Sequence, residues 1–162
     1  MRIQKESMHA LDKIDRRILD LLQQNGRLSM TELADAVGLT VTPCIERVRR
    51  LERDGVITGY HARVAPAVLD AGLLVFVEIS MSSKSERTFE EFRREVLCVP
   101  QVLECHLVSG DFDYLIKARI KEIGQYRNLL GNILLRLPGV TQTKSCVVME
   151  EVKETLFIPA QK

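Results

Sequence analysis

Apolar residues recur at intervals of three and four in the stretch ALDKIDRRILDLLQQNG, where Leu11, Ile14, Ile18, Leu21 and Leu22 share one side of a helical wheel and Gly26 ends the pattern. This predicts a helix with a single buried face. LSMTELADAVGLT repeats the arrangement over a shorter span: Ser29 stands at an N-cap, Glu32 completes a capping box, and Leu33 and Val37 point inward before Gly38 stops the helix. A third helix is expected from Thr42, which can cap it, with Pro43 in the first turn, where its missing N–H costs nothing. Its apolar stripe is Cys44, Ile45, Val48 and Leu51.

Beyond Gly55 the period shortens. VITGYHARVAP reads as short strands leading out of the helical unit, with Pro66 at its boundary. From Gly72 onward the patterns run strand LLVFVEISM, helix SERTFEEFRREVL, strand VLECHLVS, turn GD, strand FDYLIKARI, helix EIGQYRNLLGNILLRL and strand VTQTKSCVVMEEV. The order β-α-β-β-α-β is that of the ferredoxin-like fold, an antiparallel sheet covered by two helices on one face. The chain is therefore expected to be α+β, with a helix-turn-helix domain over residues 1–60, a hinge over 61–71 and a ferredoxin-like domain over 72–162. Val75, Val77, Leu107 and Val148 suggest apolar positions on the uncovered sheet face as well, which oligomerisation would bury.

At 162 residues, 46% hydrophobic and 28% charged, the composition is that of a folded chain rather than a disordered one. The longest apolar run, AGLLVFV at 71–77, is far short of a membrane span, and the first residues lack the apolar core of a signal peptide, so a cytoplasmic protein with no membrane partner is expected. Cys44, Cys98, Cys105 and Cys146 have no metal-ligand spacing and read as small, scattered thiols, so neither structural zinc nor a disulfide framework is expected. The net charge of +1 advertises no polyanion partner globally.

Locally the picture changes. The third predicted helix carries arginine at 47, 49, 50 and 53, and a wheel aligned on its apolar stripe puts these side chains toward solvent. Two capped helices, the tight turn GLT and this helix make a helix-turn-helix, whose last helix would enter the major groove with Thr42, Pro43 and Glu46 nearest base edges and Arg47, Arg49 and Arg50 on phosphates. An arginine-rich helix alone reads as a solvated amphipathic face laced by i, i+4 pairs such as Glu46 with Arg50; the three-helix context favours double-stranded DNA. Residues 40–63 hold five Lys+Arg against three Asp+Glu, so one copy would bind weakly and several are needed.

The stretches LDKIDRRIL, TPCIERVRRLERDGVITGY, LLVFVEI, ECHLVSGDFDYL, LLRLPGV and VVMEEVK, spanning about Leu11 to Lys153, resemble the Lrp/AsnC (feast/famine) family of transcription regulators, and within it the leucine-responsive branch. The resemblance implies a winged-type helix-turn-helix joined by a hinge strand to an effector-sensing βαββαβ domain. It further implies homodimers assembling into a closed homo-octamer, and a free amino acid, leucine or methionine, as effector ligand with no cofactor.

LVSGDFDYLIK is where such a ligand would be held. Gly110 in the turn exposes backbone N–H groups for an α-carboxylate, while Ser109, Asp111 and Asp113 offer polar partners for the ammonium. By the resemblance Leu107, Ile123, Leu135, Val147 and Val148 line a cleft between neighbouring dimers; taken alone, the turn is an ordinary polar hairpin and the aliphatics are core packing. No catalytic residue is expected: His9, His61 and His106 are scattered, and Cys105 and His106 point to opposite faces of one strand. The alternative from another class is an amino-acid-sensing regulatory or assembly module associated with metabolic enzymes, which would have no use for the arginine helix.

Overall fold

A computed structural model describes residues 10–160 apart from 84, 130, 132 and 133. The chain forms two compact units, one built from residues up to Arg63 together with the segment from Lys153, the other from Val64–Val152.

The first unit is three helices: α1 (Lys13–Gln24), α2 (Met30–Val37) and α3 (Val41–Arg53). Both predicted features of α2 are present. Ser29 and Glu32 form the reciprocal capping box, and Gly38 ends the helix in the left-handed conformation at φ +72°, which lets the Leu39 N–H reach back to the Ala34 carbonyl. The three-residue turn that follows is therefore set by a glycine. A second capping box, unread in the sequence, starts α1: Asp12 accepts from the Asp15 N–H, and Asp15 answers to the Asp12 N–H. Helix α3 begins earlier than expected, with Thr40 as N-cap but no side-chain cap bond, so Thr42 and Pro43 lie inside its first turn. Ile18, Leu22, Leu33, Cys44, Val48 and Leu51 close the core between the helices. Residues 56–65 carry no strand; an extended segment becomes one only when a neighbour takes its N–H and C=O groups.

The second unit is β1 (Leu73–Met81), α4 (Glu86–Val96), β2 (Val102–Leu107), β3 (Tyr114–Ile120), α5 (Ile123–Asn128) and β4 (Val140–Val147), with the strands ordered β2-β3-β1-β4 and the pairs all antiparallel. This is the expected ferredoxin-like order. Phe92 and Val96 of α4, with Tyr126 and Leu129 at the second helix, pack on the face formed by Val75, Val77, Ile79, Ile116 and Ala118. Val75 and Val77 thus lie under the helices, not on the open face as anticipated. The open face instead holds Leu74, Phe76, Leu115 and Cys146 among charged pairs such as Glu104 with Lys117 and Glu78 with Lys144. Among the described residues, the second predicted helix is α-helical over Ile123–Asn128, with a 3-10 turn at Leu134–Arg136.

Asp15 is the polar centre of the first unit. Its side chain, 2% exposed, receives Arg47 Nη1 at 2.8 Å and Arg50 Nη2 at 2.6 Å. Replacing Asp15 with alanine removes the partner of two half-buried guanidinium groups and one half of a capping box. A loss of about 2–3 kcal/mol is expected in denaturant unfolding, below the range for a fully buried pair because both arginines keep some water. An unchanged midpoint would show that the cluster does not hold the helices together.

A candidate DNA-reading helix and a candidate ligand turn

Four side chains fall on one outward stripe of α3: Thr42, Glu46, Arg49 and Arg53, spaced i, i+4, i+7 and i+11, all exposed. Pro43 sits half-buried beside them. Of the four arginines read from the sequence as solvent-facing, Arg49 and Arg53 are exposed, while Arg47 and Arg50 are half-buried. Arg47 and Arg50 project from the flank that packs toward α1. There Arg47 Nη1 also donates to Asp12 Oδ2 at 2.6 Å, so the two arginines and two aspartates form one network. The Asp15 N–H, and then Arg47, hold the Asp12 carboxyl below the usual carboxylate range, and the same pairing raises the Arg47 guanidinium.

The cause is geometric. A wheel oriented by Cys44, Val48 and Leu51 says which way is inward, but not which flank has a neighbouring helix. The missed signal was the D-x-x-D spacing of Asp12 and Asp15 just before the apolar repeat, a capping pattern that also brings two carboxylates to the α3 side of α1. Between α1 and α3 a shallow groove of about 400 Å³, floored by Leu22 and Val48 and rimmed by Arg49, Glu52 and Tyr60, leaves Ile45 only half-buried. Tyr60 donates to Glu52 at 2.9 Å; burial and that carboxylate push its phenol up to about 12.

In the second unit the β2–β3 connection is closed by the Val108 N–H donating to the Asp113 carbonyl at 3.0 Å, which leaves Ser109, Gly110 and Asp111 exposed. Gly110 has φ +135°, a conformation that a side chain would strain. Asp113 faces the other way. It is buried, and its carboxylate accepts the Met81 N–H at 2.8 Å while its own N–H donates to the Ile79 carbonyl at 2.8 Å. That is where β1 breaks register with β4, between Ser80 and Met81, so Asp113 takes up a donor at an irregular step of the strand.

The aliphatic candidates do not gather within one chain. Leu107 pairs with Tyr114 at the turn end of β3, whereas Ile123 follows the opposite end, near which Val147 pairs with Val75 and the Val148 N–H donates to Leu74. Several residues of β3, at about 3.3 Å each, separate the two groups. Leu107 (55%), Ile123 (61%) and Leu135 (43%) are exposed, and Val147 and Val148 are half-buried.

Cys105 and His106 do not pair as nucleophile and base. Burial pushes the Cys105 thiol up to about 11, toward its protonated form, while His106 lies on the opposite face beside Glu104 at 3.2 Å. Among the described residues there is no group of three or more His, Cys, Asp and Glu side chains able to hold a metal ion, and no helix long and apolar enough to cross a membrane.

Comparison with known proteins adds to this geometry. Residues 11–58 match the family described as winged helix-turn-helix DNA-binding, and residues 74–156 match the Lrp/AsnC ligand binding domain. The leucine-responsive regulatory protein of Haemophilus influenzae is 52% identical over 157 residues, covering 97% of this chain and 95% of that protein. The Escherichia coli protein of the same name is 57% identical over 145 residues, covering 90% and 88%. Among solved structures, a transcriptional regulator of Neisseria meningitidis in complex with L-methionine superposes with a TM-score of 0.88 at 35% identity, covering 93% of this chain and 97% of that one. An AsnC family regulator of Agrobacterium tumefaciens gives 0.87 at 33% identity, covering 91% and 96%.

The different placements of the arginines separate two effects experimentally. Arg49→Ala is expected to leave the melting temperature unchanged while flattening the log–log salt dependence of DNA binding by about 0.9 for each phosphate the side chain no longer neutralises. Arg47→Ala is expected to lower stability by about 1–2 kcal/mol. Salt titrations paired with melting curves read both, and equal behaviour of the two variants would refute the distinction.

Proposed function

We propose, from the premise that the chain belongs to the Lrp/AsnC family of DNA-binding transcriptional regulators, that it reads DNA through the outward stripe of α3 and responds to a free amino acid, leucine first and methionine second, bound between subunits. Such a protein is a regulator and not an enzyme. The observation that carries the reading is the stripe itself, Thr42, Glu46, Arg49 and Arg53, presented on the third helix of a capped helix-turn-helix in the same chain as a ligand-binding fold.

Thr42 and Glu46, in the N-terminal half of α3, are the side chains placed for base edges, with half-buried Pro43 shaping the approach; Arg49 supplies a planar fork of donors for phosphate oxygens. Arg47 and Arg50 act mainly by holding α3 against α1. The effector reading draws support from the names of the relatives and from the methionine bound by the Neisseria regulator. The exposed turn at Ser109, Gly110 and Asp111 offers N–H donors for a carboxylate and a carboxylate for the ammonium, with Asp113 bracing it from within. Exposed Leu107, Ile123 and Leu135, with Val147 and Val148, supply aliphatic surface for a side chain of matching chemistry and nothing for a charged one. Because these residues lie at opposite ends of one sheet, a cleft uniting them is built from more than one chain.

Two features favour a homodimer and its assembly into an octamer. Residues 58–65 have no strand neighbour, and the open sheet face carries half-buried Phe76 and Leu115. Light scattering at micromolar concentration is expected to give a dimer or larger; a clean monomer would overturn the shared cleft.

A thermal-shift series over the twenty amino acids tests the ligand. Leucine at 100 times its dissociation constant is expected to stabilise the protein by about 2.7 kcal/mol, and glutamine and asparagine to act weakly. Leu107→Ala and Ile123→Ala, at exposed positions, should change the unliganded stability by no more than about 0.5 kcal/mol while reducing the leucine shift. No shift with any amino acid would remove the effector reading.

A further inference from the structure

One face of α1 holds polar side chains that neither DNA reading nor the packing against α3 uses. Arg16, Asp20 and Gln23 are spaced i, i+4 and i+7, so they line one side of the helix. Against them runs the segment from Lys153 to Ala160, extended and without helix or strand of its own. The Gln23 carboxamide meets Ile158 at two points: Nε2 donates to the Ile158 carbonyl at 2.8 Å and Oε1 accepts the Ile158 N–H at 2.8 Å. Asp20 Oδ1 accepts the Ala160 N–H at 2.8 Å, and Arg16 Nη1 donates to the Ala160 carbonyl at 2.7 Å. Ile158 and Ala160 are two residues apart, so in an extended chain they present their backbone groups to the same side, and Pro159 between them has no N–H to leave unpaired.

We propose that Arg16, Asp20 and Gln23 form a docking site for extended polypeptide backbone and that residues 158–160 of this chain are its occupant. The recognition is of backbone, because the Ile158 side chain remains 75% exposed and that of Leu156 91%. The need for an occupant is built in: Asp20 is 7% exposed, and a buried carboxylate that loses its N–H donor bears the cost of its own desolvation. Both ends of the segment are fastened. Arg63 donates to the Glu154 carboxylate at 3.1 Å, and in the ligand-binding unit Arg119, itself 7% exposed, holds Glu151 by two hydrogen bonds of 3.0 and 2.5 Å.

The test uses the full chain. Amide hydrogen exchange at Ile158 and Ala160 is expected to run at least about tenfold slower than in an unstructured peptide. The protection should survive Ile158→Ala, which changes only an exposed side chain, and be lost at the Ile158 amide in Ala160→Pro, which deletes the donor to Asp20 while leaving α1 intact. In an Asp20→Ala, Gln23→Ala double variant the protection is expected to be lost. Unprotected amides in the parent protein, or protection that persists in the double variant, overturn the docking site.

Discussion

The carboxylate of Asp15 is the constraint from which the DNA-binding unit takes its shape. It is buried between α1 and α3, begins α1 as one half of a capping box, and receives two guanidinium groups from the same flank of α3. Each role requires the others. The capping box fixes where the carboxylate sits, the two arginines make its burial tolerable, and together they set the rotation of α3 about its own axis. That rotation decides which residues look outward. Were α3 turned by one residue, about 100°, Arg50 and not Arg49 would stand on the open stripe.

The ligand-binding unit depends on a comparable device. Near the end of β1 the pairing with β4 slips, and there Asp113, just before β3, takes the Met81 N–H. Five residues upstream, Val108 closes the loop by bonding to the same residue's carbonyl. One aspartate therefore holds an irregular strand and the base of an exposed turn together. In both units a buried acidic side chain organises backbone and neighbour at once, and the surface residues nearby gain a fixed frame.

Much of this was legible in the sequence, for reasons that differ by element. Ser29, Glu32 and Gly38 announce α2 through local bonds, and local bonds are what sequence spacing encodes. The order of strands and helices after Gly72 follows from period alone. The face of β1 does not, because Leu73, Leu74, Val75, Phe76 and Val77 are all apolar and leave no alternation to read; Val75 and Val77 went inward where the opposite was expected. The orientation of Arg47 and Arg50 depended on a helix thirty residues away. Asp113 looked like a ligand group because its chemistry suits one, and only the slip in a strand thirty residues earlier reveals what it holds. Segment 153–160 carried no readable pattern at all, since a chain recognised through its backbone places almost no demand on its side chains.

The outward stripe of α3 has a kinetic consequence. Two of the unit's arginines are neutralised within the fold, and the stripe itself carries Arg49 and Arg53 against Glu46, with Arg53 lying 3.5 Å from Asp54. So small a positive surplus gives little hold on arbitrary duplex, whose attraction is almost entirely phosphate charge. A hold resting on phosphate charge alone is therefore brief, and dwell time on a duplex depends on contacts other than this small surplus. Occupancy of promoters by such a protein is renewed on the timescale of its own dissociation, so a change in the pool of its ligand is felt at the genome without waiting for stray copies to be shed.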